Sequence, residues 1–161
     1  MVFEYKSPIG PLWIVESAGF ISGIYFSRDR INDKDINPQT NMSPAAKTCF
    51  RELDEYFAGE LQRFTVPIMA KGTSFREGVW DALSLIPYGQ TISYMDLAIS
   101  INKPRAVRAV GGANHHNPIS IIIPCHRVIG KNGKLVGYGG GLDVKEFLLL
   151  HEQKYKKGEK V

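Results

Sequence analysis

Three consecutive isoleucines, Ile121 to Ile123, end on Pro124, and Cys125, His126 and Arg127 follow directly. A core strand ordinarily ends in turn residues. Here the most apolar run of the chain delivers a thiol and two nitrogen bases instead. Pro124 has no N–H and keeps Cys125 out of regular central-strand pairing, so the chain is expected to turn there and expose the thiol. A reactive group held on a rigid edge is the reading that follows.

The rest of the chain can support such a site without staples. Its 161 residues, 43% hydrophobic and 22% charged, suit a globular protein of one domain or two small ones, not a disordered one. The formal charge of +4 is compatible with an anionic partner but too mild to identify one. Part of that excess lies in KYKKGEKV, 154–161, which is expected to fray. Cys49 and Cys125 are the only cysteines and form no CxxC, which argues against a disulfide framework or a cysteine-rich zinc module and favours a reducing compartment. The N-terminus shows no cleavable signal pattern, and no apolar run approaches the roughly 20 residues of a membrane helix. A cytoplasmic protein is expected, nuclear if eukaryotic.

Residues 1–27, punctuated by SPIG and SAG, have the pattern of short antiparallel strands, and the polar run Arg28 to Asn41 that of a loop. Ser43 and Pro44 predict a helix start, with Ala46, Phe50, Leu53 and Phe57 recurring at helical spacing until Gly59. Cys49 lies in this helix as a small buried hydrophobe. A connecting segment, 60–72, carries the domain boundary. Beyond it, Ser74 and Glu77 have capping-box spacing ahead of a helix that PYGQ ends, and Ser93 with Asp96 caps a short one, Tyr94 to Ser100.

INKP then breaks the chain, and Pro104 suits the first turn of a further helix, PRAVRAVGGA. Two short helices with a tight turn between them make a helix-turn-helix pattern, although most such pairs merely pack. At 100° per residue Ala106, Val107 and Val110 share one side, and Arg105, Arg108, Ala109 and Gly112 the other. That second face is basic and nearly free of bulk. It suits a closely approached nucleic acid, and equally a solvated face whose glycines end the helix.

A free thiol titrates near ~8.5 and needs a neighbour to become a nucleophile at neutral pH. His126 adjoins Cys125, but neighbours in a flat strand point to opposite faces, so contact requires a bent backbone or a bridging water. A base needs an orienting group in turn. Glu152 in the helix VKEFLLLHEQ, 144–153, borders its buried face and could serve; it could also be a surface residue paired with a lysine. Between them, Asn132 and Gly133 favour a tight turn, and Gly139, Gly140 and Gly141 let the backbone press on a planar ligand beside Tyr138. His115 and His116 lack the spacing of a metal pair.

PCHRV at 124–128, RAVGGA at 108–113, NPI at 117–119 and the downstream YGGGLxVKxFLLxHE pattern together resemble the O6-alkylguanine-DNA alkyltransferases. The resemblance covers roughly residues 74–152, and more loosely SPIGPL. It implies an α+β protein: a small ribonuclease H-like domain of mixed sheet and helix over 1–70, then a mostly helical, winged-helix-like domain over 71–161. The implied activity is irreversible, single-use transfer of an alkyl group from O6-alkylguanine, with O4-alkylthymine as a second lesion, to the protein's own cysteine. The implied partner is double-stranded DNA, bound in the minor groove without sequence dependence by a monomer.

By motif match, Cys125 is the acceptor, reached by a buried isoleucine strand. His126 deprotonates it through water, Glu152 orients His126, Asn117 braces the turn before the strand, and Tyr94 lies against the phosphate backbone and helps protonate the leaving guanine. Arg108 fills the gap left by the flipped nucleotide. Arg105, Ala109, Gly112 and Arg127 join it on DNA. Asn114, Val128, Tyr138, Gly139 and Gly140 form the substrate pocket. Gly139, Asn114 and His115 depart from residues frequent in relatives, which leaves pocket width open. No cofactor is needed, and the zinc site of some animal members has no matching cysteines. Two rival readings are a non-catalytic winged-helix lesion binder and a Cys-His-Glu hydrolase.

Overall fold

A computed structural model describes residues 1–156; the end of the expected frayed tail lies outside them. The chain opens with three antiparallel strands in the order β1 (Val2–Ser7), β2 (Gly10–Ser17) and β3 (Phe20–Tyr25). Ala18 and Gly19 both have positive φ, 52° and 86°, the backbone of the two-residue turns whose twist suits a β-hairpin. Among the described residues, parallel character enters this sheet through single bridges, Val2 with Ile36, Ile21 with Ile68 and Ile24 with Ile119. The expected loop after β3 is organised into three 3-10 turns between Arg28 and Asn41.

Helix α1 (Pro44–Phe57) begins where expected, Ser43 accepting from the N–H of Ala46. Its buried stripe is Ala45, Ala46, Cys49, Leu53 and Tyr56, whereas Phe50 and Phe57 flank it and pack around Tyr5. Fully burying one such apolar side chain is worth about 2 kcal/mol. Glu52, also buried, accepts from the N–H groups of Thr65 and Val66 and fixes the connecting segment.

Helix α2 (Ser74–Leu83) is capped by Thr73, not Ser74: the threonine hydroxyl accepts from the N–H of Arg76, and Ser74 is already the first helical residue. The Ser93–Asp96 capping box forms as expected at α3 (Tyr94–Ser100). Helix α4 (Val107–His115) starts three residues later than the placement of Pro104 suggests, because residues 101–105 form turns, so Arg105 precedes the helix. Trp80 donates to the carbonyl of Ala113 at 2.8 Å and ties α2 to α4. A short parallel pair, β4 (Ile92–Ser93) with β5 (Val128–Ile129), leads to the glycine loop, and α5 (Leu142–Tyr155) closes the fold. Asn132 and Gly133 both have positive φ in the expected tight turn. Among the described residues no helix is long and apolar enough to cross a membrane.

Candidate active site

The isoleucine run is not a strand. Ile24 of β3 donates to the carbonyl of Pro118 at 2.9 Å, and after Ile119 the chain tightens into successive turns. Ile121 has φ 74° and the N–H of Ile122 returns to Ser120, a γ-turn of the rare positive-φ kind. Pro124, at φ −82° and ψ 64°, centres a second γ-turn of the common hand, closed by the Cys125 N–H on Ile123. Residues Cys125–Arg127 then form one 3-10 turn. Apolar burial of Ile121 and Ile123 holds this tight backbone in place, and Asn117 clamps it from both ends: its Nδ2 donates to Ile123 and its Oδ1 accepts from Ile119, at 2.8 and 3.0 Å.

The thiol is therefore not exposed; Cys125 is 5% accessible and lies in the wall of a cavity of about 530 Å³. Tyr94, Val107, Gly111 and Asn114 contribute from the helix-turn-helix. Tyr138 and Gly139 contribute from the glycine loop, and Phe26 and its neighbours from the end of β3. Burial pushes the Cys125 thiol above its ordinary value, while Asn117, Lys145 and Tyr138 pull it partly back.

Behind the cysteine lies a buried ion network. His126 Nε2 meets Glu152 Oε2 at 2.6 Å with both side chains essentially inaccessible. Arg127 donates through Nε and Nη2 to the two oxygens of Glu152 at 2.8 and 3.1 Å. Tyr56 donates to the same carboxylate at 2.7 Å, and the N–H of Gly89 at 3.3 Å. Burial alone would raise the Glu152 carboxyl, but His126 and Arg127 outweigh it and hold it well below the usual carboxylate range. Because the guanidinium is permanently charged, Glu152 is ionised whether or not the imidazole is. Burial lowers the pKa of His126 despite the carboxylate, which favours the neutral ring. An ionised Glu152 must accept, so Nε2 carries the proton; Nδ1, with no partner among the described residues, keeps a free lone pair.

The sequence-assigned residues separate into three groups. Cys125, Tyr94, Asn114, Asn117, Tyr138 and Gly139 meet at the cavity, with His126 and Glu152 directly behind. Arg108 and Ala109 are exposed on α4, with Gly112 part-exposed and Arg105 exposed just before the helix, so the basic, bare face is realised. Three assignments fail. Arg127 is 7% accessible and engaged by Glu152 and by the carbonyl of Ile86, so it cannot reach DNA. Val128 is fully buried in β5 beside Ile92 and is not among the residues that line the cavity. Gly140 lies outside the cavity lining and against the Phe26 ring, which a Cβ there would approach to 3.0 Å. Glu152 is no surface residue, and its cation is an arginine.

Tyr56, Lys145 and Phe26 are not singled out by the sequence. A tyrosine on a buried helix stripe needs a partner for its hydroxyl, which was the available signal for Tyr56. Lys145, one heptad before Glu152, is wholly buried, with Nζ donating to the Val136 carbonyl at 3.0 Å. His115 and His116 border the cavity, and the described residues contain no cluster able to hold a metal.

Two family models account for nearly the whole chain: 6-O-methylguanine DNA methyltransferase, ribonuclease-like domain, over residues 4–70, and the DNA binding domain of the same family over 74–154. A methylated-DNA–protein-cysteine methyltransferase of Methanosarcina acetivorans is 45% identical over 148 residues, covering 92% of this chain and 95% of that protein. The constitutive enzyme of that name from Bacillus subtilis is 43% identical over 152 residues, covering 92% of each. The crystal structure of Mycobacterium tuberculosis OGT in complex with DNA superposes with a TM-score of 0.85 at 42% identity, covering 96% of this chain and 93% of that one. A helix-turn-helix beside a pocket that holds a buried thiol, with a buried His–Glu pair behind it, suits an alkyl acceptor, and this chain belongs to the 6-O-methylguanine DNA methyltransferase family. Alkyl transfer to cysteine in DNA repair is the function of that family.

Proposed function

We propose that Cys125 is the acceptor in single-use repair of O6-alkylguanine, with O4-alkylthymine a second substrate, in double-stranded DNA. The carrying observation is the thiol in the cavity wall with the His126–Glu152 pair at 2.6 Å behind it. A carbon on O6 lies inside the duplex, so the nucleotide must be flipped into the pocket at an unstacking cost of a few kcal/mol. The exposed Arg108, with Ala109 and Gly112 leaving the helix face bare, fills the vacated stack from the minor groove. Arg105 meets phosphate.

In the transfer step Cys125 Sγ bonds to the alkyl carbon as the C–O6 bond breaks. The thiol proton passes through a water to His126 Nδ1, while Glu152 stabilises the imidazolium. Tyr94 lends a proton to the departing guanine and regains one from solvent as the imidazolium releases its own, so the thiol proton is in effect passed to the guanine. A thioether is a poor leaving group, so each molecule acts once as a monomer and needs no cofactor. Division at residues 70 and 71 into a supporting and a reacting domain, and a cytoplasmic setting, complete this reading.

Incubation with duplex DNA carrying O6-methylguanine, followed by peptide mass analysis, tests it. The Cys125 peptide should gain one methylene, and Cys125→Ser should gain none. An unmodified wild-type peptide, or repeated turnover per molecule, would overturn the proposal.

A further inference from the structure

The N-terminal half takes part in the pocket. Strand β3 ends against the segment that leads to the cysteine, through the Ile24 to Pro118 hydrogen bond, and the residues after Ile24 line the cavity. Phe26 is the large apolar one. Its ring meets Tyr138 edge-on, 5.4 Å between centroids at 61°. On another side it abuts Gly140, where even a methyl group would crowd it at 3.0 Å. Held between a glycine that grants the approach and a tyrosine that lines the same cavity, the ring is fixed as a wall and cannot swing aside cheaply.

Resting on the acceptor reading above, we infer that Phe26 determines which alkyl groups reach Cys125, by bounding the pocket and by holding Tyr138 in position. A methyl group leaves such a wall untouched, whereas an arylmethyl group must lie against it. The first half of the chain would then set lesion size, while the second half performs the transfer. Half-buried Phe26 makes no hydrogen bond or ring contact with Cys125 or the ion network and reaches the thiol only through Tyr138, so an effect passed on that way acts on both alkyl groups alike and cancels in their ratio.

The test is the ratio of transfer rates for duplex DNA bearing O6-benzylguanine and O6-methylguanine, in wild type, Phe26→Leu and Phe26→Ala, with unfolding midpoints alongside. The ratio should rise in both variants, by roughly tenfold in Phe26→Ala, the scale of discrimination that small volume changes give in apolar pockets. Should Phe26→Ala fail to fold, Phe26→Leu decides alone. A folded Phe26→Leu with the wild-type ratio overturns the role of Phe26 while leaving the acceptor reading intact. A wild-type protein that takes up neither group overturns both.

Discussion

Arg127 and Glu152 form a two-pronged ion pair inside the protein, with bonds of 2.8 and 3.1 Å and almost no solvent contact on either side. The pair joins the turn that carries Cys125 to the last helix, and therefore fixes the position of His126 between them. Removing one member leaves the other charge buried and unpaired. Arg127→Ala should cost about 3–5 kcal/mol in denaturant unfolding, and should leave the salt dependence of DNA binding as it was. A loss under about 1 kcal/mol, joined to a shallower salt slope, would restore Arg127 to the DNA surface.

The same network sets the pH response. His126 acts as a base only while neutral, and burial lowers its pKa below the ordinary value of 6.5. Its folded value lying under its unfolded one, the unfolded chain takes up the proton first as pH falls, so stability is full above about 6.5 and declines below it. Transfer to the thiol should likewise be flat through neutral pH and fall only on the acid side of 6.5. Stopped-time assays with the free O6-alkylguanine base across pH 5–8 would read this without DNA. A decline that begins above 6.5 would contradict the neutral buried imidazole. His126→Gln should lower the plateau by roughly 10²-fold, the lower range for a lost general base.

Local chemistry made much of this legible. The hairpin glycines, the Ser43 and Ser93 caps and the Asn132–Gly133 turn depend on a few adjacent residues, and each forms as the sequence indicates. Thr73 displaced Ser74 because either hydroxyl fits a cap, and only the chain direction entering α2 chooses. Ile121–Ile123 look like a strand because burial and β-branching are the same in a buried γ-turn; the backbone differs, and that is fixed by Asn117 from outside the run. Arg127 was misplaced for a related reason: an arginine reads as a surface charge until a buried carboxylate 25 positions away claims it. Tyr56 and Phe26 enter the site across the two halves, a relationship that spacing along the chain does not encode.

Asn117 offers a direct test of that outside clamp. Both ends of its amide are spent on the loop, on the carbonyl of Ile123 and the N–H of Ile119. Asn117→Ala leaves the buried Ile119 N–H without its partner and the Ile123 carbonyl with only the Cys125 N–H, and should cost about 2 kcal/mol in unfolding free energy. Asn117 also pulls the raised thiol downward, so its loss should move the pH dependence of Cys125 alkylation by a small haloacetamide to higher pH. An unchanged alkylation profile would mean that Asn117 supports the backbone only.

Arg108 separates recognition from chemistry. It stands exposed on α4 between Val107 and Gly111, the cavity-lining residues one position before it and three after, and does not itself line the cavity. An arginine that occupies the stack in place of a flipped nucleotide lowers the energy of the extruded state, a few kcal/mol in duplex and nothing for a free base. Arg108→Ala should therefore slow repair of duplex by at least about tenfold, while the rate with free O6-alkylguanine and the unfolding midpoint stay at wild-type values. Arg108→Lys should recover only part of the loss, since the ammonium restores charge but not a planar group able to stack. Equal slowing of both substrates would place Arg108 in the chemistry. Full rescue by lysine would reduce its part to phosphate attraction.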